Sequence, residues 1–195
     1  MKNSYKFIPV GICMLLFALF LPAARADQWN QATKVTFSGP VEVPGVVLPA
    51  GTYWFSLMRN DPDRNIVQVW NSKRTEVMAT LLTVPDERLK PTGKTVIRFA
   101  ERPSYSPEAL HAWFYPGDNF GHEFVYPETE ARQIAKRTNQ PVLSMRDDLA
   151  KNVKQPAKSP SDASVVAMKK AQVKGVEPSG QAVSITEVVI APPKG

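Results

Sequence analysis

The residues best suited to chemistry are concentrated in one short segment, residues 111–127, which reads HAWFYPGDNFGHEFVYP. This segment contains six aromatic residues and both histidines of the chain. An imidazole can bind a metal ion or transfer a proton near neutral pH, and a contiguous exposed aromatic surface can bind a ligand. The segment therefore indicates three kinds of structure: a buried core hairpin, a ring-stacking platform or a metal centre.

The PGDN turn in the middle of this segment predicts a hairpin with residues 116–121 as its loop. In that register Trp113 lies opposite Phe124, and His111 lies opposite Tyr126. Side chains alternate across a strand, so one face of the hairpin carries most of the aromatic rings. The members of that face are His111, Trp113, Tyr115, His122, Phe124 and Tyr126.

The favoured interpretation is a core hairpin in which Trp113 and Phe124 are buried neighbours, because aromatic side chains bury large areas and dominate packing. The first alternative is a carbohydrate-binding module that uses the same aromatic face as an exposed platform. Its ligand-binding residues would be Trp113, Tyr115, His122 and Tyr126.

The second alternative is a metal-dependent enzyme centred on His111 and His122, with Asp118 or Glu123 as a further ligand. A catalytic metal usually needs three protein ligands at one point. In a regular strand His122 and Glu123 face opposite ways, and the two histidines lie diagonally apart, so two ligands at most would meet. We therefore expect no cofactor and no catalytic residue.

The DPDRN stretch begins like a calcium loop, because Asp61, Asp63 and Asn65 occupy alternate positions. The EF-hand pattern then needs Gly at its sixth place and Glu at its twelfth, where this chain has Ile66 and Ser72. We therefore expect a polar turn held by side-chain hydrogen bonds. The chain also lacks the Gly-x-Ser-x-Gly and His-Glu-x-x-His motifs of hydrolases, which favours a non-enzymatic function.

Residues 1–26 are predicted to be a secretory signal peptide. Lys2 and Lys6 precede an apolar run, which is followed by a small-x-small cleavage pattern that ends at Ala26. A spanning helix needs about 20 apolar residues, and this run is shorter, so we expect export to the periplasm or the medium with no membrane span after cleavage. The only cysteine, Cys13, would leave with the peptide, which excludes disulfides and thiolate zinc sites from the exported form.

Charge is distributed unevenly along the remainder of the chain. Residues 27–127 carry ten Lys or Arg and eleven Asp or Glu, for a net charge of −1, whereas residues 128–195 carry eleven basic and seven acidic residues, for +4. A nucleic-acid-binding domain would need a basic face of its own, so we expect no nucleic-acid partner. The cationic C-terminal part could bind an envelope polysaccharide or another anionic polymer.

Short β-rich segments separated by turn residues dominate residues 27–145. Strands are predicted at 33–37, 41–43, 52–58, 65–70, 76–84 and 94–99, at a spacing typical of an antiparallel sandwich with a prealbumin- or immunoglobulin-like topology. Pro85 and Pro91 begin breaks between strands, and Ser106 begins a single helical turn. The turn before Gly51 predicts a positive φ angle or a crowded position at that glycine.

The C-terminal part of the chain contains one predicted helix, at residues 128–138, followed by an edge segment at 141–145. Acidic residues occupy the first turn of the helix and basic residues the last, which complements its dipole. From Arg146 onward aromatic residues are absent and polar residues dominate, so residues 146–195 are predicted to be a disordered tail. The AVSITEVVI stretch within it could pair with a sheet edge.

Two stretches, VEVPGVVLPAGTYWF and AWFYPGDNFGHEFVYP, resemble a family of small exported bacterial proteins with no assigned activity. The resemblance covers about Gln28 to Met145. The LPAGTY turn is also similar to turns in prealbumin-like and carboxypeptidase-regulatory-like sandwich modules. The resemblance implies an exported β-sandwich and assigns no functional residue. Together these features predict a non-enzymatic binding or structural protein of the bacterial envelope.

Overall fold

The computed structural model describes residues 31–100 and 107–185. These residues form a mainly β structure of thirteen strands, three short α-helices and one 3-10 turn at Asp147–Leu149. The strands are β1 (Ala32–Phe37), β2 (Val41–Val43), β3 (Val46–Leu48), β4 (Gly51–Leu57), β5 (Ile66–Trp70), β6 (Val77–Glu87), β7 (Val96–Ala100), β8 (Glu108–Phe114), β9 (Phe120–Phe124), β10 (Tyr126–Pro127), β11 (Val142–Met145), β12 (Lys174–Val176) and β13 (Ala182–Val183). The helices are α1 (Glu128–Thr138), α2 (Ala150–Val153) and α3 (Ala163–Lys169).

Nine strands form one large mixed sheet in the order β1-β4-β5-β6-β9-β8-β2-β3, and β7 pairs with β8 off this path. The other four strands form a second sheet in the order β10-β11-β12-β13. All pairs are antiparallel except β2 with β8 and β10 with β11. The eleven-residue strand β6 joins the two halves of the large sheet, because its first part pairs with β5 and its second part with β9.

The two halves of the large sheet face each other across one core. The ring centroid of Phe55 on β4 lies 6.4 Å from that of Trp113 on β8 and 6.5 Å from that of Phe124 on β9. Phe37 on β1 contacts Phe99 on β7 in the same way, at 6.2 Å. Such contacts between opposed faces are the packing of a sandwich, and they confirm the predicted mainly β fold.

Most predicted elements match the observed ones within two residues, and the helix at residues 128–138 matches at both ends. Two predictions for the connections between strands are wrong: the break at Pro85 and the helical turn before β8. Pro85 lies inside β6 opposite His122, where the strand pairs with β9 on one side only and therefore tolerates a proline. Glu108 begins β8 by pairing with Val41 in a parallel ladder, so no helical turn begins there; Ser106 lies outside the described residues.

The prediction of a disordered tail is wrong for residues 147–185. Six apolar side chains of this segment are buried in the common core: Leu149, Val153, Ala157, Val165, Met168 and Val176. The segment also pairs its own strands, because β12 joins β11 and β13 joins β12. Its composition is too polar for an independent core, but a few well-spaced apolar residues suffice to cover a sheet that is already formed. Residues 186–195, which include the rest of the AVSITEVVI stretch, lie outside the described residues.

Gly51 lacks the special conformation predicted for it, whereas Gly45 in the preceding turn has one. Gly45 has φ = +73° in the two-residue turn between β2 and β3, and a Cβ there would lie 3.3 Å from Cβ of Val153 on α2. Gly51 has an ordinary φ, and the nearest atoms to its Cβ position belong to the Tyr53 ring at 3.6 Å, an ordinary contact distance. The prediction for Gly51 is therefore wrong, and the position that requires a glycine lies one turn earlier.

Across the described residues, we find no helix with the length and apolar character that a membrane span requires.

Candidate functional site

The hairpin formed by β8 and β9 has a different register from the predicted one. Trp113 pairs with His122, and Phe114 pairs with Gly121. The pairing is two residues away from the prediction because the turn is shorter than expected and Phe120 already belongs to β9. A shift of two residues preserves the alternation of faces, so Trp113 and His122 still share one face.

The aromatic face of this hairpin is core and not a surface platform. Trp113 is 0% exposed, Phe124 1% and Tyr126 2%, which confirms the burial predicted for Trp113 and Phe124. They are diagonal neighbours rather than direct partners. Tyr115 and His122 are half-buried. A sugar could not reach the buried rings, because Phe55 and the opposite half of the sheet cover them.

The two histidines lie on opposite faces of the hairpin. His122 stacks against Trp113 with ring centroids 5.5 Å apart, and its Nδ1 lies 3.3 Å from the hydroxyl of Thr83. Burial, followed by the nearby charge of Arg64, lowers the pKa of His122 to about 4. His111 falls at the β7–β8 bulge, which turns it towards Glu123 on the other face. The bulge therefore separates the two proposed metal ligands.

His111 and Glu123 belong to a small charged cluster on the outer face of β6–β9–β8–β7. The Nδ1 atom of His111 lies 3.7 Å from the Glu123 carboxylate, and Arg98 pairs with Asp86 at 3.1 Å. Burial and the neighbouring Asp86 raise the pKa of Glu123 to about 7, while Arg98 opposes that rise. Burial and Arg98 lower the pKa of His111, against the effect of Asp86. Within the described parts of the chain, no group of three or more His, Cys, Asp or Glu residues could hold a metal.

The DPDRN stretch forms the expected polar turn. Oδ2 of Asp61 accepts a hydrogen bond from the backbone N–H of Asn65 at 3.2 Å. The cation beside this turn is the ammonium group of Lys169 on α3, which lies 2.6 Å from Asp61 and 2.5 Å from Asp63. Hydrogen bonds to these two carboxylates raise the pKa of Lys169. The turn therefore anchors the C-terminal segment to the β4–β5 hairpin.

A cleft of about 700 Å³ lies over β4 and β5. Its floor includes Ser56, Gln68 and Trp70, which alternate with core residues along their strands and so point outward. One wall is residues 156–158 of the C-terminal segment, and another is the loop at residues 74–76. We call this feature the Trp70 cleft.

The floor of the Trp70 cleft is held in place by hydrogen bonds. Trp70 Nε1 donates to the hydroxyl of Ser56 at 3.1 Å, and Gln68 Nε2 donates to the carbonyl of Ala157 at 2.7 Å. The Trp70 side chain is half-buried, with part of its surface in the cleft. An aromatic ring fixed on paired strands costs little conformational entropy when a ligand binds it.

Positive charge is concentrated around the rim of the cleft. Arg59, Arg74 and Lys158 are exposed and line it, and among the described residues Glu76 is the only acidic one in its lining. The Arg74 guanidinium lies over the Trp54 ring, 5.0 Å from its centroid. Among the described residues, no carboxylate lies within ion-pair distance of Arg59 or Lys158. These cations are therefore available to an incoming anion.

Sequence reasoning did not connect Trp70 with a site. The usable signal was the hairpin turn: a hairpin centred on Pro62 places Trp54 opposite Trp70, which is the observed pairing. The wall formed by residues 156–158 had no comparable signal, because it comes from a distant segment whose polar composition predicted disorder.

Comparison with protein-family models, with curated proteins and with solved structures finds no match to this chain. The resemblance to a family of small exported proteins therefore stays a prediction.

Proposed function

We propose that this chain is an exported, non-enzymatic binding protein of the bacterial envelope, and that its ligand occupies the Trp70 cleft. The observation that carries the proposal is the cleft itself, a concave space of about 700 Å³ with a half-buried indole on its floor. Ligand sites in proteins commonly have this size and combine aromatic surface with a few placed polar groups.

The composition of the cleft supports binding rather than catalysis. In the part of the chain that the structure describes, its lining includes one carboxylate, from Glu76, and no histidine. General acid–base catalysis usually relies on a histidine or on opposed carboxylates within reach of the substrate. The polar side chains of Ser56 and Gln68 are engaged in hydrogen bonds with the protein, which suits a rigid surface for recognition.

Export is supported by the sequence of residues 1–26, which lie outside the described residues. The proposed location is the periplasm or the extracellular medium. N-terminal sequencing of the exported protein should find Asp27 at or near the first position, and an intact Met1 would contradict export with cleavage.

The binding proposal is tested by retention of the purified protein on immobilised envelope polysaccharide fractions. Trp70→Ala should abolish retention, because it removes the aromatic floor of the cleft. Phe120→Ala is the matched control, since it removes an aromatic ring that is 62% exposed at the start of β9 and does not line the cleft, and it should bind like wild type. Equal retention of wild type and Trp70→Ala would overturn the assignment of the site.

A further inference from the structure

We infer that the ligand of the Trp70 cleft is an acidic saccharide, a sugar chain that presents carboxylate groups beside its apolar ring faces. This inference rests on the proposed function, because it names the ligand class for the same cleft. It follows from the juxtaposition of one available indole with three cations, Arg59, Arg74 and Lys158.

Of the two paired tryptophans on β4 and β5, Trp70 is the one that lines the cleft. Trp54 and Trp70 are direct cross-strand partners, but the Arg74 guanidinium lies over the Trp54 ring. Trp70 instead borders the cleft, and its Nε1 atom is oriented by Ser56. A tryptophan held at its polar end presents its apolar body to a ligand, and the flat apolar face of a sugar ring is complementary to that surface.

The charged side chains that line the cleft are mostly positive. Among the described residues, the exposed charged residues that line it are three cations and one carboxylate. A guanidinium presents a planar fork that matches a carboxylate in two hydrogen bonds. Arg74 is already oriented by its contact with Trp54, so it is prepared to make such a pair.

Other ligand classes fit this combination less well. A neutral saccharide would use Trp70 and leave the cations around it without partners. A nucleic acid would need a basic surface longer than one cleft and commonly several stacking rings. An acidic peptide would use the cations but would leave the flat indole surface without a matching ring. An acidic saccharide uses both features at once.

The inference is tested by calorimetric titration with oligogalacturonate and with its methyl ester, which has the same rings without the charges. Wild type should bind the acid form at least about tenfold more tightly than the ester, as expected for charge-assisted pairing. Added salt should weaken binding of the acid form alone. Arg59→Gln combined with Lys158→Gln should remove most of the preference. Lys90→Gln combined with Lys94→Gln removes two exposed charges outside the cleft lining and should preserve it.

The outcomes separate this inference from the proposed function. Equal, Trp70-dependent binding of acid and ester would overturn the acidic ligand but keep the cleft as a saccharide site. Binding of the acid form that survives Trp70→Ala in a folded variant would show a charge effect without ring recognition and would also overturn it. If neither oligosaccharide binds, the inference fails, and retention on envelope fractions still decides the proposed function.

Discussion

Two strand pairs of this protein carry prominent tryptophans, and their surroundings are opposite. On β8, Trp113 points between the two halves of the sheet and is fully buried against Phe55 and His122. On β5, Trp70 points outward and remains half-exposed beside a cleft. Strand alternation determines which side chains share a face, but the element that covers a face determines whether its aromatic residues become core or a binding surface.

The cover over β4 and β5 comes from the C-terminal segment and is incomplete. The carbonyl of Ala157 accepts from Gln68, and that of Gln155 lies 3.4 Å from the Thr80 hydroxyl. Both Gln68 and Thr80 are buried as a result. The cover stops at residues 156–158, which form a wall of the Trp70 cleft rather than a lid over it. A partly covered sheet face thus produces the concave surface.

The largest effect on stability is expected from removing the buried tryptophan, Trp113. Trp113→Ala should lower the free energy of unfolding by roughly 3–5 kcal/mol, the usual cost of emptying a large aromatic core site. Urea titration of the variant and wild type measures this difference. Phe120→Ala on the same hairpin is the control and should change stability little. A Trp113→Ala variant as stable as wild type would show that this face is not core.

Much of this fold could be predicted from the sequence because its local signals agree with its tertiary contacts. The α1 helix was predicted at both ends, since acidic and basic residues mark its two ends and Ala131, Ile134 and Ala135 form its buried stripe. The strands β1, β2, β4 and β5 were predicted because β-rich segments are bounded there by turn residues. In these segments local preference and burial favour the same conformation.

The features that escaped prediction depend on long-range contacts. The bulge at His111 arises in the pairing of β8 with β7, and it changes which face a histidine occupies without any mark in the sequence. The order of residues 147–185 depends on burial of residues such as Val153 and Met168 against a sheet built from other segments. The cleft also escaped prediction, because its floor comes from two neighbouring strands, whereas one of its walls comes from residues 156–158, which are far away in the sequence.

A second prediction concerns the outer face of the hairpin, where Glu123 has a pKa of about 7 against a usual value of 4.5. The folded state therefore holds this proton longer than the unfolded state, so its contribution to stability is present at low pH and is lost between pH 4.5 and 7. Relative to wild type, Glu123→Gln should gain up to about 3 kcal/mol over that interval, since each pKa unit corresponds to about 1.36 kcal/mol.

His122, on the core face, makes stability depend on pH with the opposite sign. His122 has a lowered pKa of about 4 against a usual 6.5, so its contribution is lost as the pH falls through that interval. With Glu123 replaced, the stability of the variant should rise more steeply with pH than that of wild type. Urea titrations at several pH values measure the slopes, with Glu87→Gln as a matched loss of an exposed carboxylate. Parallel slopes for wild type and Glu123→Gln would contradict the raised pKa.

A third prediction tests how the C-terminal cover is anchored. The Asp61 carboxylate is fully buried and pairs with Lys169, so Lys169→Met should cost about 2 kcal/mol, as expected when a hydrogen bond to a charged group is removed. The substitution should also increase the rate of amide hydrogen exchange in residues 154–170 more than in β8. Lys170→Met is the neighbouring control on the same segment. Unchanged exchange in residues 154–170 would show that Lys169 does not anchor the cover.

The smallest effect on stability is expected from removing Trp70, the tryptophan that borders the cleft. Trp70→Ala should cost about 1 kcal/mol, because the side chain is half-buried and gives up one hydrogen bond to Ser56. Binding at the cleft should nevertheless be lost. Trp113→Ala should show the reverse: a large loss of stability, while the molecules that remain folded still bind the ligand. Urea titration and ligand titration of both variants under one condition measure the loss of stability and the loss of binding. If Trp70→Ala destabilised the protein as much as Trp113→Ala does, Trp70 would belong to the core, and the cleft would lose the aromatic floor on which its proposed function depends.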